Sequence, residues 1–402
     1  MQKNKKSPTI MNLLENLEIK QLFKLLRENQ IEARLVGGCV RDALLGIKTA
    51  DIDVAINVPP EQAQHTLKKA GIKVIPTGID HGTITAVVNN LPFQITSLRQ
   101  DVQTFGRHAK VIYGTDWLED AKRRDFTMNA MYLDEKGSLY DPFNGRHDLE
   151  KGIIWFIGDP SERIKEDYLR ILRYYRFLAY YGKNVPGTIK ELSELKEGLL
   201  TLSKERIQHE FLKLLDAKNP RISLNMMEKD GIFSTLFNSD FFLQPLYTLI
   251  ELELTLKVKP NALRRLYILF DDNDSIYKNS FRLSRHQLLY LRHINESLNL
   301  NDRRAIFYYF GRDLFLSWIL LIQAKKELSF QDKVQNCQQE IDWLSTQKNH
   351  YFPITGQDLL TAGCSEGAEI GILLKACEKW WIEQDFKPEK NECLKYCLDK
   401  LI

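Results

Sequence analysis

Cysteine is scarce in this 402-residue chain. The six residues, Cys39, Cys337, Cys364, Cys377, Cys393 and Cys397, have neither a zinc-site spacing nor the density of a secreted disulfide scaffold. Reduced, partly buried thiols are expected. No apolar segment long enough for a signal peptide follows Met1-Gln2-Lys3-Asn4-Lys5-Lys6, and no run is expected to reach membrane-spanning length. The simplest expectation is a cytoplasmic protein that touches no membrane. An excess of one charge is missing too: 56 Lys and Arg against 53 Asp and Glu leave a net charge of +3. That balance does not demand a nucleic-acid partner, although basic residues can still gather on one face. Beyond Asp159 proline and glycine thin out, and no strand, repeat or low-complexity tract is legible. With 44% hydrophobic residues the chain is long enough for two to four packed subdomains.

The informative stretch lies early. Ala33 to Val36 reads as a buried strand, Gly37-Gly38 as a sharp turn, and Val40 to Leu45 as a short helix stopped by Gly46. A glycine turn at a helix start lets backbone N–H groups approach a phosphate, so Gly38 is a candidate nucleotide contact, and Arg41 adds a fixed positive charge. In a strand, Asp51 and Asp53 point to one face roughly 7 Å apart along the chain, which lets the two carboxylates share divalent cations about 3.5–4 Å apart. Oxygen ligands beside a phosphate site suggest magnesium holding a nucleoside triphosphate. Either half alone is more often a plain turn or a capping pair; in this order the two are specific. Together they resemble the DNA polymerase beta-like nucleotidyltransferase superfamily. Gly37-Gly38-Cys39-Val40-Arg41-Asp42 in particular resembles its branch of class II tRNA nucleotidyltransferases and bacterial poly(A) polymerases.

The expected fold class is α+β. Asn12 to Gln30 has a helical pattern, Glu61 to Ala70 reads as a helix stopped by Gly71, and Ile72–Ile75, Thr83–Val88 and Phe93–Leu98 read as strands of a small mixed sheet. Helical periodicity takes over from Asp159. The expected division is a polymerase-beta-like catalytic head over residues 1–141, a helical neck that reads the base over 142–216, and an all-helical body and tail over 217–402. Basic and aromatic residues mix along the tail helices, as in Arg303-Arg304 near Tyr308 and Tyr309, a pattern that suits a tRNA backbone. Trp380 and Trp381 are expected in the core.

Further residues follow from the resemblance. Superfamily members often carry a third carboxylate on a neighbouring strand; the matching stretch here, Phe93-Gln94-Ile95-Thr96, offers Gln94, so metal binding is assigned to Asp51 and Asp53 alone. Arg99 to Ala109 resembles the flexible loop the family uses in passing from C addition to A addition, with Phe105 where an acidic residue is usual. Arg123-Arg124-Asp125-Phe126-Thr127-Met128-Asn129-Ala130-Met131 resembles the ribose-recognising motif: Arg124 suits triphosphate oxygens and the Asp125 carboxylate a sugar hydroxyl. Asp141 to Leu149 resembles the head-to-neck hinge.

Asp159 as N-cap, Pro160 at the first helical position and Glu162 predict a helix that runs to Gly182. On a helical wheel Ile164, Tyr168, Ile171, Leu172 and Tyr175 form one side, while Asp167, Arg170 and Arg173 lie opposite. Asp167 can accept from the exocyclic amine shared by cytosine and adenine, and Arg170 can donate to ring or carbonyl acceptors; uracil and guanine present the opposite pattern. The bland alternative is an exposed ion pair, worth only about 0.2–0.5 kcal/mol. Glu166-Asp167-x-x-Arg170 followed by Arg173 and Arg176 resembles the family's amino-acid template for CTP and ATP, and Leu202 to Ile207 its supporting helix. The resemblance implies template-independent addition of C-C-A to the tRNA 3′ end, with CTP and ATP as substrates, magnesium as cofactor and pyrophosphate as product. A poly(A) polymerase or a CC-only or A-only enzyme is the alternative within the class, although Ile79-Asp80-His81-Gly82-Thr83 lacks the Gly-Arg-Arg-Phe-like stretch usual in the former. A non-catalytic RNA-binding protein is the alternative outside it.

Overall fold

Asn16 decides how the chain begins. Its side chain accepts the Ile19 N–H at 2.9 Å and caps a new helix, so the helical run expected over Asn12–Gln30 is two helices, α1 (Pro8–Glu15) and α2 (Leu17–Glu28). The computed structural model describes residues 8–49, 51–79, 82–105, 108–183, 189–239, 241–270, 276 and 279–400. They divide into two compact units, Met1–Asp240 and Phe241–Ile402.

In the first unit β1 (Ala33–Val36) passes through Gly37 into α3 (Gly38–Leu44), followed by β2 (Ile52–Ile56), α4 (Pro60–Lys69), β3 (Lys73–Gly78), β4 (Thr83–Val88) and β5 (Leu91–Ser97). With β8 (Tyr132–Leu133) and β9 (Leu139–Tyr140) they make one sheet in the order β3-β4-β5-β2-β1-β8-β9. Only β2 and β5 run parallel, which makes the sheet mixed as expected. Leu35, Val54, Ile84 and Ile95 are fully buried along it, and that apolar face holds the strands in register.

The stretch read as a flexible loop is instead an antiparallel hairpin of β6 (Arg99–Phe105) and β7 (His108–Tyr113); Gly106 and Arg107 lie outside the described residues. The residues of its two strands are paired through their backbones. After α5 (Trp117–Lys122) and α6 (Gly145–Lys151), no strand occurs among the described residues. Asp159 accepts the Glu162 N–H at 3.0 Å and starts α7 with Pro160 in its first turn, as expected. The single helix expected to Gly182 is, however, broken. α7 (Pro160–Glu166) stops at Asp167, whose backbone is extended at φ −156°, and α8 (Leu169–Tyr181) begins two residues later. Asp167 is therefore not on a continuous helical face with Arg170. Two short helices, α9 (Glu191–Glu194) and α10 (Lys204–Leu215), close the part that bears on the site.

The second unit is helical. Its helix Arg303–Lys325 has the length and composition of a membrane span, which corrects the expectation that no run reaches that length. Gly311, at φ 76°, kinks it, and Phe315, Ile319, Leu320 and Leu321 are buried beside the helices Gln244–Thr255 and Phe330–Thr346. All six cysteines are free, and all six are buried where only partial burial was expected. Trp381 is buried too, while Trp380 is half-buried and stacked on Tyr396 at 4.4 Å.

Candidate active site

The turn between β1 and α3 needs Gly37. Its φ of 70° is a left-handed value that side chains with a Cβ rarely adopt, and its N–H is tied to Met131 O at 3.3 Å. One turn on, Arg41 is only 8% exposed. Its Nη1 donates to Asn129 Oδ1 at 2.7 Å and its Nε to Asp42 Oδ1 at 3.0 Å, while its guanidinium stacks 4.4 Å from the Tyr181 ring. Tyr181 donates its hydroxyl to the same Asp42 oxygen at 3.0 Å, so α8 braces the arginine of the turn. Cys39 between them donates its thiol to Val36 O at 3.3 Å; burial pushes its pKa up to about 11 and keeps it an unreactive packing residue.

Asp51 stands exposed just before β2, and Asp53 lies two residues on, within it. Burial raises the Asp53 carboxyl above its usual range against the pull of Arg124, and the Asp51 charge pushes it the same way while Arg41 opposes. No described side chain or backbone N–H hydrogen-bonds that carboxylate. Among the described residues no third His, Cys, Asp or Glu joins the pair as a metal ligand, and the residue in register beside Asp53 on β5 is Gln94.

Three buried acids organise the arginines, and sequence reasoning found only one of them. Asp120, in α5, is 1% exposed and accepts from Arg123 Nε at 2.8 Å, Arg124 Nη2 at 3.0 Å and the Tyr132 hydroxyl at 2.7 Å. Burial alone would raise its pKa; the Arg124 and Arg123 charges outweigh burial and hold it at about 2. Asp125 accepts from Arg173 Nε at 2.7 Å, Asn129 Nδ2 at 3.0 Å and the Phe126 N–H at 2.9 Å, and despite its burial is likewise held at about 2, Arg173 foremost. Glu210, on α10 and 3% exposed, takes Arg176 Nε at 2.5 Å and faces Arg173 Nη1 at 3.6 Å. Its only signal in the sequence was its place one turn beyond Arg206 on the supporting helix.

These groups meet around one cavity of about 550 Å³. Gly38, Arg41, Asp53, Arg124, Asp125, Asp167, Arg170, Arg173 and Arg176 all line it. Of the ten candidate residues only Asp51 stays off its wall. Asp167 and Arg170 share this wall without pairing: Arg170 Nη1 bonds Glu166 Oε2 and Arg163 O, each at 2.6 Å, while the Asp167 carboxylate takes Arg206 and the Leu169 N–H. The Asp53 carboxylate, whose oxygens suit a hard cation, arginines of a kind that suit phosphate, and a donor and an acceptor of a kind that suit a base edge thus line one hollow of nucleotide size.

Comparison with known proteins agrees with this layout. Residues 33–155 match the Poly A polymerase head domain, and residues 186–239 match the probable RNA and SrmB-binding site of polymerase A. The CCA-adding enzyme of Ligilactobacillus salivarius is 38% identical over 223 residues, 53% of this chain and 54% of its own. In fold, the chain is similar to the Bacillus stearothermophilus CCA-adding enzyme crystallised with CTP, with a TM-score of 0.74 and 23% identity over 98% of both chains. The mitochondrial CCA tRNA nucleotidyltransferase 1 of Danio rerio is 33% identical over 389 residues, 93% of this chain and 88% of its own. A likeness that runs nearly end to end, through head and helical remainder alike, makes this chain a member of the CCA tRNA nucleotidyltransferase family, and an enzyme.

Proposed function

We propose that this enzyme adds C, C and A in turn to the 3′ end of tRNA, taking CTP and ATP without a nucleic-acid template. The observation that carries the reading is the single cavity shared by the phosphate turn at Gly38, the carboxylate of Asp53 and the base-reading residues Asp167 and Arg170. The RNA 3′ hydroxyl attacks the α-phosphate of the bound triphosphate, the bond to the β-phosphate oxygen breaks, and pyrophosphate leaves. Gly38 and Arg41 seat the phosphates; Arg124 offsets their charge; Asp125, through Arg173 and Asn129, sets the floor under the ribose. Asp51 and Asp53 suit magnesium, since both are oxygen donors and Asp53 carries a charge that burial makes costly to leave uncompensated. Bound there, magnesium would lower the charge cost at the attacking and leaving oxygens. The relatives' names attach them to tRNA and C-C-A, which favours this reading over a poly(A) polymerase. The proposed domains remain head 1–141, base-reading neck 142–216 and tRNA-binding body and tail 217–402. The cytoplasm remains the proposed compartment; the Danio rerio relative is named as mitochondrial, and cell fractionation decides between the two.

The deciding experiment supplies tRNA truncated before its 3′ end with CTP, ATP or both and sequences the products. C-C from CTP alone and C-C-A from the mixture are expected; an A tract, or a stop at C-C with both present, would replace the reading with one of its alternatives.

Two variants probe its parts. Asp167→Ala is expected to lose preference for CTP and ATP over UTP and GTP by about tenfold or more, since one charge-assisted hydrogen bond is worth about 1.5–3 kcal/mol. Single-turnover incorporation of each nucleotide, beside a melting curve, checks it; unchanged base preference in a folded variant would sink the assignment. Shortening the hairpin between Val102 and Lys110 is expected to spare C addition and impair A addition, because a segment that resets a pocket need not take part in the chemistry. Equal loss of both would make the hairpin merely structural.

A further inference from the structure

Tyr181 ends α8, and its hydroxyl reaches across to the phosphate turn. It donates to Asp42 Oδ1 at 3.0 Å, the oxygen that also accepts Arg41 Nε at 3.0 Å. Its ring centre lies 4.4 Å from Arg41 Cζ, and that of Phe177 lies 5.3 Å from it. Arg41 Nη1 donates to Asn129 Oδ1 at 2.7 Å, Asn129 Nδ2 to Asp125 Oδ1 at 3.0 Å, and Asp125 Oδ2 accepts Arg173 Nε, back on α8, at 2.7 Å. The hydrogen bonds therefore close a circuit that leaves α8 at Arg173 and returns to it at Tyr181, about two turns on, with Arg41 between. Nε and Nη1 of that arginine are thereby spent. Nη2 has no hydrogen bond among the described residues, and a Cβ built on Gly38 would come within 3.6 Å of it, so the unspent donors sit at the glycine turn of the cavity. Tyr181 itself does not line the cavity.

We propose that Tyr181 is a positioning residue for the triphosphate, acting through Arg41 on phosphate affinity and not on the choice of base. A guanidinium free to turn must be ordered each time a nucleotide binds. One held at Nε, at Nη1 and across an aromatic face presents Nη2 in place beforehand, which lowers the ordering cost of binding. The two parts of the tyrosine contribute separately. Its ring holds the cation by its face, a contact that counts for more when the cation is desolvated, and Arg41 is buried. Its hydroxyl fixes the Asp42 carboxylate, which among the described residues has no other partner than Arg41. Burial, against the opposing Arg41 charge, pushes that hydroxyl up to about 12, so it is a proton donor at neutral pH. This inference rests on the reading of Arg41 as a triphosphate contact and extends it to the end of α8.

The test uses the full-length enzyme with magnesium. It measures equilibrium binding of CTP and ATP, displacement of CTP by inorganic tripolyphosphate, single-turnover incorporation of all four nucleotides on truncated tRNA, and melting curves. Tyr181→Phe keeps the ring and loses the hydroxyl; Tyr181→Leu loses both. The phenylalanine variant is expected to weaken CTP, ATP and tripolyphosphate by one common factor of about threefold or more, and the leucine variant by about tenfold or more, with the preference for CTP and ATP over UTP and GTP unchanged. Tripolyphosphate carries neither base nor sugar, so a common factor places the effect at the phosphates. A merely structural role would lower the melting temperature and the turnover but leave these affinities alone. In an Arg41→Lys background, which keeps the charge but not the planar fork, adding Tyr181→Phe should weaken binding little further. Unchanged affinities in a folded phenylalanine variant overturn the proposal, as does a weakening that tripolyphosphate does not share or a double variant whose losses simply add. Should Arg41→Lys not fold, Tyr181→Phe alone decides. A folded Arg41→Lys enzyme that binds CTP, ATP and tripolyphosphate as the wild type does would overturn instead the reading of Arg41 on which the inference rests.

Discussion

Asp53→Asn is expected to abolish nucleotidyl transfer while leaving a folded protein that still binds tRNA. The shape of the side chain is kept and its charge is lost. That charge is one half of the only carboxylate pair proposed here to hold metal, and no third carboxylate among the described residues can replace it. Metal assistance is worth several kcal/mol of transition-state stabilisation, and each 1.36 kcal/mol is tenfold in rate, so a loss of about 10³ or more is expected. The fold should not suffer. Burial already disfavours the charged form of Asp53, so removing the charge removes a cost, and the variant should melt at or above the wild type. Asp51→Asn is expected to follow the same pattern in activity. Single-turnover assays with magnesium, a melting curve and a tRNA mobility shift check all three statements; near-normal turnover would take Asp53 out of the metal site.

Asp120→Asn is expected to have the opposite character, with stability as the first loss. Its carboxylate is the common partner of Arg123, Arg124 and the Tyr132 hydroxyl at 1% exposure, and an amide cannot accept from all of them. Breaking a buried ion pair from one side leaves the other charge uncompensated and costs about 3–5 kcal/mol. The sign of the pH dependence follows from a folded pKa held at about 2, below the ordinary carboxylate value. Asp120 stabilises the fold above the ordinary range, and that contribution fades as pH falls towards 2. Wild type and variant should therefore differ most near neutral pH and converge in acid, as followed by denaturant unfolding at pH 7, 5 and 3. A constant gap across that range would mean that the carboxylate charge is not what stabilises the site.

What could be read in the sequence was local and covalent in origin. The Gly37 turn, the Asp159 cap with Pro160 behind it and the strand Thr83–Val88 are written within a few residues, and each formed as expected, while the strand expected over Phe93–Leu98 runs over Leu91–Ser97. The misses arose where distant segments decide. Periodicity carried one helix across Asp167, but the carboxylate there is claimed by Arg206, 39 positions on, and by the Leu169 N–H, and the helix breaks to let it turn. The Arg99–Tyr113 hairpin hid behind polar residues whose backbones pair only with one another. Asp120 and Glu210 drew no assignment from the sequence; only the packed structure surrounds them with Arg123, Arg124, Arg173 and Arg176. Asp167 and Arg170, proposed to read the base, line the cavity although the helix expected to carry them is broken between them, because the residue types matter more to the hydrogen bonds than the helix that carries them.

The break at Asp167 also narrows what evolution can write at that position. One oxygen of the carboxylate accepts the first amide of α8, at Leu169, while the other faces Arg206 and the cavity. Holding the start of a helix in this way suits short side chains with an oxygen close to the backbone: Asp, Asn, Ser or Thr. Of these, only ionised Asp is purely an acceptor; Asn would turn a donor towards the base or lose the amide, and Ser or Thr would bring one oxygen instead of two. Glu, the usual neutral exchange for Asp, is one methylene too long for the first demand. On the proposed role of Asp167, structure and nucleotide choice draw on the same two oxygens, and the set of residues that satisfies both contains a single member.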